Sequence, residues 1–429
     1  MKRILSAVLC CLVLCLSMSF ALADEPVTLR FSWWGGDSRA AATLEAINVY
    51  MEKNPNVKIE AEYSAIAGYY QKLVTQLASG NAPDFFQVDQ GWVAEMFARG
   101  DAFADMNTFS DLIDPSTIAE SMLNDYCIKD GKLVVLPLGY NGTVFLYNKA
   151  LLGELINNED GSFRWTWEDM YKMAADLHSN DPEAYMTVAI TDSYVRYILK
   201  PMLEQITNQI PVQDDLTPGF TVEQMAQAFE EFKKIFDNST AQPYSESVVY
   251  DSLQNNPLWI NGKIGGVFLF FSNIDGEIAN LNYELGVCAM PKMEGALTTG
   301  QECCPSLMIA INKNTDEVKQ KEAAKFINWM INDPEAAMIL GTQRGVPASS
   351  VALSTLRENN VLSPLMSQAI QISEETVGFK NGDYEMDSSI HAIFVEKMEK
   401  VIYGVASPME AAQELYDDLT ARLNEIKQQ

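Results

Sequence analysis

Only two histidines, His178 and His391, occur in the 429 residues. No H-E-x-x-H, C-x-x-C, G-x-S-x-G or P-loop spacing accompanies them. Zinc would need ligands that these spacings do not offer, so neither a metal nor a cofactor is expected. His178 falls at a predicted helix end, where it favours the dipole. With 58 acidic residues, carboxylate pairs are inevitable and most are solvated surface. The positive signal is aromatic rings beside glycines and polar groups at the ends of predicted strands. Trp33-Trp34-Gly35-Gly36 ends one strand and Val88-Asp89-Gln90-Gly91-Trp92 another. Tyr140-Asn141 sits at an elbow, and Phe270-Phe271-Ser272-Asn273 ends a fourth. In open α/β sheets, ligands bind beyond the carboxyl ends of the strands. A sugar ring needs a flat aromatic for its C–H face and carboxylate or amide groups for its hydroxyl rim. Those are the few convergent polar groups of an otherwise apolar pocket. Each aromatic has a competing core role: Trp33 is assigned inward, and Phe268 and Phe270 also read as core.

The elements that must position these groups follow from periodicity. Val27–Trp34 reads as a strand, and Leu44, Ile47 and Met51 as a helical stripe with Asp37 or Ser38 as its cap. Val57–Tyr63 alternates as a half-buried strand, Tyr70, Leu73 and Leu77 form a second helical stripe, and Asp84–Val88 is a third strand. This βαβαβα pattern predicts an α/β domain with a largely parallel sheet. Val134–Leu136 and Thr143–Tyr147 read as two buried strands, with Pro137 marking a break or edge. Beyond them the chain turns helical. Capping boxes stand at Thr166/Asp169, Thr221/Gln224 and Ser407/Glu410. Strands return at Val267–Phe271, Leu285–Met290 and Leu307–Ile311.

Composition bounds the partners. The formal charge of −28 argues against nucleic acid and anionic membrane surfaces. Lys2-Arg3, an apolar run to Phe20 and Ala21-Leu22-Ala23 form a secretion signal over residues 1–23, with cleavage expected before Asp24. Leu14 stands where a lipoprotein signal has a small residue before its cysteine, which argues against a lipid anchor at Cys15. Cys127, Cys288, Cys303 and Cys304 remain in the mature chain and allow three pairings. Cys303 and Cys304 read as packing, or as pairing with Cys288, not as reactive thiols.

With these stretches in hand, the chain resembles an extracellular solute-binding protein of a bacterial ABC importer, of the sugar- and oligosaccharide-binding type (family 1, maltodextrin-binding-protein-like). The resemblance spans Val27–Ile426. It rests on LRFSWWGG, GNAPDFFQVDQGW, LPLGYNGTVFLYNKALL, WTWEDMYKMAADL, FFSNIDGEIANLNYELGVCAMPKMEG, AAKFINWMINDPEAA and GTQRGVPAS, in that order. It implies an α/β, two-lobe periplasmic-binding-protein (Venus flytrap) fold with a cleft between the lobes. Residues 24–141 and 304–345 would form lobe 1, and 142–303 and 346–429 lobe 2. Carried over by motif, the cleft contacts resemble Trp34, Gly35, Asp37, Asp89, Asn141, Tyr194 (in TDSYVRY) and Phe271. Tyr69, Tyr140, Glu302 and Arg344 are further candidates with a structural role as the competing reading. Relatives often carry Trp near Leu269–Phe271 and Gly-Gly where Cys303-Cys304 stands, so the sugar is left open. The resemblance implies a non-enzymatic, monomeric receptor at the periplasmic or extracellular face of the membrane, with a carbohydrate ligand and permease subunits as partners. The alternatives are a secreted carbohydrate-active enzyme and a receptor for a metal, a polyamine or an amino acid.

Overall fold

The computed structural model describes residues 26–428 except 101, 156–163, 189–190, 251, 279–280, 376–381 and 383–386. The expected leader therefore lies outside the described residues. Strand β1 (Val27–Trp34), helix α1 (Asp37–Lys53), β2 (Val57–Ser64), α2 (Tyr69–Ala78), β3 (Phe85–Val88) and α3 (Gln90–Ala98) follow the predicted alternation. β1 pairs in parallel with β2 and with β3. α1 differs in its start: Gly36 is the N-cap without a side-chain bond, because Asp37 is already the first helical residue.

The centre of the molecule is β4 (Leu136–Asn148), one continuous strand where two were expected. Pro137 lies inside it, opposite Met308 of β8 (Cys303–Ile311). The register of β8 slips at Pro305/Leu307 and again at Leu307/Met308, so the ladder is already irregular where proline withholds its donor. The first half of β4 pairs with β8, and with the short β9 (Val346–Pro347). Its second half pairs with β6 (Ile264–Phe270) and β7 (Leu285–Cys288). β5 (Tyr185–Thr187) completes the sheet beyond β6, giving the order β2-β1-β3-β8-β4-β6-β5.

Two cores result. One holds Phe31, Trp33, Phe85 and Phe86 with Phe326 and Ile327 of α6 (Glu317–Asn332). The other holds Phe145 and Phe268 with Met170 of α4 (Trp167–Asn180), Phe229 and Phe232 of α5 (Val222–Asp237), and Leu415 of α7 (Pro408–Lys427). On β4, Val144 and Leu146 join the first core and Phe145 and Tyr147 the second. An uninterrupted apolar run is what a strand covered on both faces requires. All three capping boxes form, at Thr166, Thr221 and Ser407.

β4, β8 and the turn before β9 meet at Gly139. A Cβ there would lie 2.5 Å from the Arg344 carbonyl, 2.8 Å from Ser306 Oγ and 2.9 Å from the Val346 carbonyl. Gly345 has φ +92 and would bring its own Cβ to 2.3 Å from the same Ser306 Oγ. Two of these neighbours are backbone and cannot give way. Gly139→Ala should therefore cost about 1–3 kcal/mol through overpacking and lower the melting temperature by several degrees. Gly36→Ala, with nothing within 4 Å, should leave it unchanged. Equal melting temperatures for the two variants would contradict this packing.

Candidate ligand-binding site

The ends of β1 and β3 carry an aromatic cluster. The Trp34 ring lies 4.9 Å from Trp92 and 5.1 Å from Tyr69, and Tyr70 lies 4.9 Å from Trp92. Tyr69 is buried beneath it. Its hydroxyl meets Ser32 Oγ at 2.9 Å and reaches the carbonyls of Ser32 and Gln87, both at 3.1 Å. Burial pushes its phenol well up, so Tyr69 is a neutral anchor for the wall. Asp89 caps α3 by accepting from the Gly91 N–H at 3.0 Å. Burial raises its pKa, while that cap and the charge of Arg196 act in the other direction.

Arg196, whose charge acts on Asp89, comes from the helical region that follows β5. It sits in a wide, π-type turn at Val195–Leu199, a distortion that re-aims side chains within a helix. Its guanidinium stands 4.5 Å over the ring of Phe270, and Tyr197 meets the same ring edge-on at 5.5 Å. Glu302 holds it in a two-point grip: Nε donates to Oε2 at 2.8 Å and Nη2 to Oε1 at 2.5 Å. Desolvation works against the Arg196 charge, but the Glu302 carboxylate outweighs it and the pKa rises. Cys304 donates its thiol to Glu302 at 3.3 Å, and burial, then Glu302, raises that thiol well above its ordinary range. Cys127, Cys288, Cys303 and Cys304 are all free thiols.

Trp34 and Gly35 end β1, Asp89 follows β3 and Glu302 precedes β8, with Trp34 and Glu302 buried, Asn141 inside β4 and Asp37 exposed at the start of α1. Asn141 lies opposite Cys304 in the sheet and accepts from the Ser272 N–H at 3.3 Å. Other expected contacts are elsewhere. Tyr194 is fully buried in the second core, 5.4 Å from Phe236 and 5.7 Å from Tyr244. The wide turn that follows it presents Arg196 and Tyr197 in its place. Phe271 is also buried, edge-on to Tyr140 at 5.3 Å. Its neighbour Phe270, expected in the core, is the half-buried ring of the site. Successive strand residues point to opposite faces, so a one-residue error in where the strand ends exchanges their roles. Tyr140 turns away from Asn141 and donates to Glu374 at 3.2 Å. Arg344 is 3% exposed and bonds Gln87 Oε1 at 2.6 Å and Thr43 Oγ1 at 2.8 Å. Sequence reasoning missed Arg196, Tyr197 and Phe270 as site residues. The signal for Arg196 was a base inside TDSYVRY in a chain so poor in bases. Among the described residues, no group of three His, Cys, Asp or Glu could hold a metal.

A sequence profile of the bacterial extracellular solute-binding proteins matches residues 35–337. The chain belongs to this family. Solved structures agree on the two-lobe fold. An oligogalacturonide-binding protein from Yersinia enterocolitica superposes with a TM-score of 0.80 at 23% identity, over 93% of this chain and 99% of that one. The same Yersinia protein in complex with saturated digalacturonic acid gives 0.74 at 24%, again over 93% and 99%. A cyclic alpha-maltosyl-1,6-maltose binding protein from Arthrobacter globiformis gives 0.75 at 16%, over 94% and 100%. No helix among the described residues is long and apolar enough to cross a membrane.

Arg196→Met keeps much of the stem that covers Phe270 but leaves Glu302 buried without its cation. It should destabilise the protein by about 1–3 kcal/mol, below the range for a fully buried pair because Arg196 is partly exposed. Arg196→Met with Glu302→Gln should recover part of that loss in urea unfolding. A double variant less stable than the single one would contradict the pairing.

Proposed function

We propose that this solute-binding protein is an extracytoplasmic carbohydrate receptor that binds a sugar or oligosaccharide between its lobes and delivers it to an ABC permease. The observation that carries the reading is the pairing of partly exposed rings with charged groups around Asp89 and Arg196, whose charges act on each other. The half-buried Trp92 follows Asp89 at the start of α3, with Trp34 packed behind it, and the half-buried Phe270 carries the Arg196–Glu302 pair, with Tyr197 packed behind it. Rings suit the C–H face of a sugar, and carboxylate and guanidinium suit its hydroxyls. The oligosaccharide-binding neighbours of like fold support this reading.

In this proposal, lobe 1 comprises residues 24–141 and 304–345 and lobe 2 residues 142–303 and 346–429. The pivot runs through Gly139–Thr143, with Cys304 and Gly345 beside it. A ligand touching both walls gains contacts that exist only when the lobes are closed, and so shifts the equilibrium toward closure. Closure excludes water. A sugar lacking one hydroxyl then leaves Asp89 buried and unpaired, which is the source of discrimination. The permease reads loaded from empty receptor by shape, with no chemistry on the sugar.

A thermal-shift screen across sugars, metals and amines tests the class, because a ligand of the native state raises its melting temperature. Sugars alone should raise it, and recovery of uncleaved oligosaccharide should separate receptor from hydrolase. Calorimetry should then show Asp89→Ala weakening the best sugar by about 1.5–3 kcal/mol, and Tyr194→Phe leaving it unchanged. Stabilisation by amines or metals only, or cleavage of the oligosaccharide, would overturn the proposal.

A further inference from the structure

The chain carries 58 acids against 30 lysines and arginines. Even so, two guanidinium groups beside the Trp34 loop have no carboxylate at ion-pair distance among the described residues. Arg39 donates Nε to the Gln343 carbonyl at 2.8 Å and Nη1 to the Trp34 carbonyl at 3.1 Å. Its Nη2 finds no acceptor among the described residues. Arg344 lies beneath, bonded to the neutral side chains of Gln87 and Thr43, with Nε unpaired. Gln87 in turn donates its amide to the Trp34 carbonyl at 3.3 Å. Burial, and then the charge of Arg39, pull the Arg344 guanidinium down to about 9. Charges withdrawn from water are normally paired, and here the counter-charge is missing.

We propose that the counter-charge arrives with the ligand: the saccharide carries a carboxylate, as uronic-acid units do, and Arg39 receives it at the Trp34 edge of the cleft. This rests on the carbohydrate-receptor reading and names the class of sugar. Gly35 fixes the geometry. A Cβ there would lie 2.5 Å from Arg39 Cδ, so only glycine lets the Arg39 stem fold across the loop that presents Trp34. Arg196 is the weaker receiver, because Glu302 already neutralises it at two points and Asp89 faces it. Arg344 is a positioning residue. It holds Gln87, which helps fix the Trp34 carbonyl, and it adds unopposed positive charge below the loop. A guanidinium with two of its three nitrogens committed to backbone carbonyls is held in place before the carboxylate arrives.

The decisive comparison changes charge and little else. Calorimetry would measure digalacturonate and diglucuronate, the methyl esters of both, and neutral disaccharides of galactose and glucose. At least one acid should bind about ten-fold or more tightly than its own ester, the scale of one charge-assisted hydrogen bond. The gap should narrow with added salt. Arg39→Gln should abolish it while moving ester affinity less than about three-fold, and Arg39→Lys should retain part of it. Melting temperatures check that the variants fold, and the acid–ester comparison on the unaltered protein needs no variant. Equal binding of acid and ester, or a gap that survives Arg39→Gln, would overturn the inference. Binding of neutral sugars alone would overturn it and leave the receptor reading standing. Binding of no saccharide at all would overturn both.

Discussion

The molecule depends on a backbone contact that admits no side chain. At Gly139 the first half of β4 lies against the Arg344 and Val346 carbonyls and Ser306 Oγ. Ser306 in turn donates to the Arg344 carbonyl at 3.3 Å. Three passages of the chain are pinned within one contact distance of one another there. The two cores are built outward from that point: the same strand feeds Val144 into one and Phe145 into the other.

The site inherits its character from this arrangement. Glu302 immediately precedes β8, so the carboxylate that grips Arg196 is anchored to a crossing strand and not to a free loop. Arg344 belongs to the turn before β9, and its side chain reaches under the Trp34 loop while its carbonyl touches Gly139. Arg344 thus links the Trp34 loop to the packing at Gly139 through a single residue.

Much of this was legible in the sequence. Strand ends at Trp34 and Val88 followed from apolar runs meeting glycine or polar residues, and the three capping boxes from local chemistry that tertiary packing had no reason to override. Trp33 inward followed from strand alternation, but Trp34 is also buried, packed on Tyr69 and Trp92, which alternation alone did not reveal. What failed was register. Phe270 and Phe271 differ by one position, and composition cannot say which faces the cleft. Tyr194 and Arg196 are two positions apart, and Arg196 lies inside the wide turn, whose smaller rotation per residue a regular helical wheel does not contain. Pro137 looked like a break because the slips in β8 that accommodate it lie more than 160 residues away in sequence. Arg344 was visible as a charged residue in a motif, but its burial was not, since nothing local betrays a guanidinium enclosed by Phe31 and Trp33.

The central claim is that ligand binding closes two lobes about the crossings at Gly139. Small-angle scattering tests it most directly, with the tightest-binding saccharide at saturation and without it. The account predicts a radius of gyration that falls on saturation in the unaltered protein. An unchanged radius of gyration, with binding confirmed by calorimetry on the same sample, would show a rigid pocket and contradict the account.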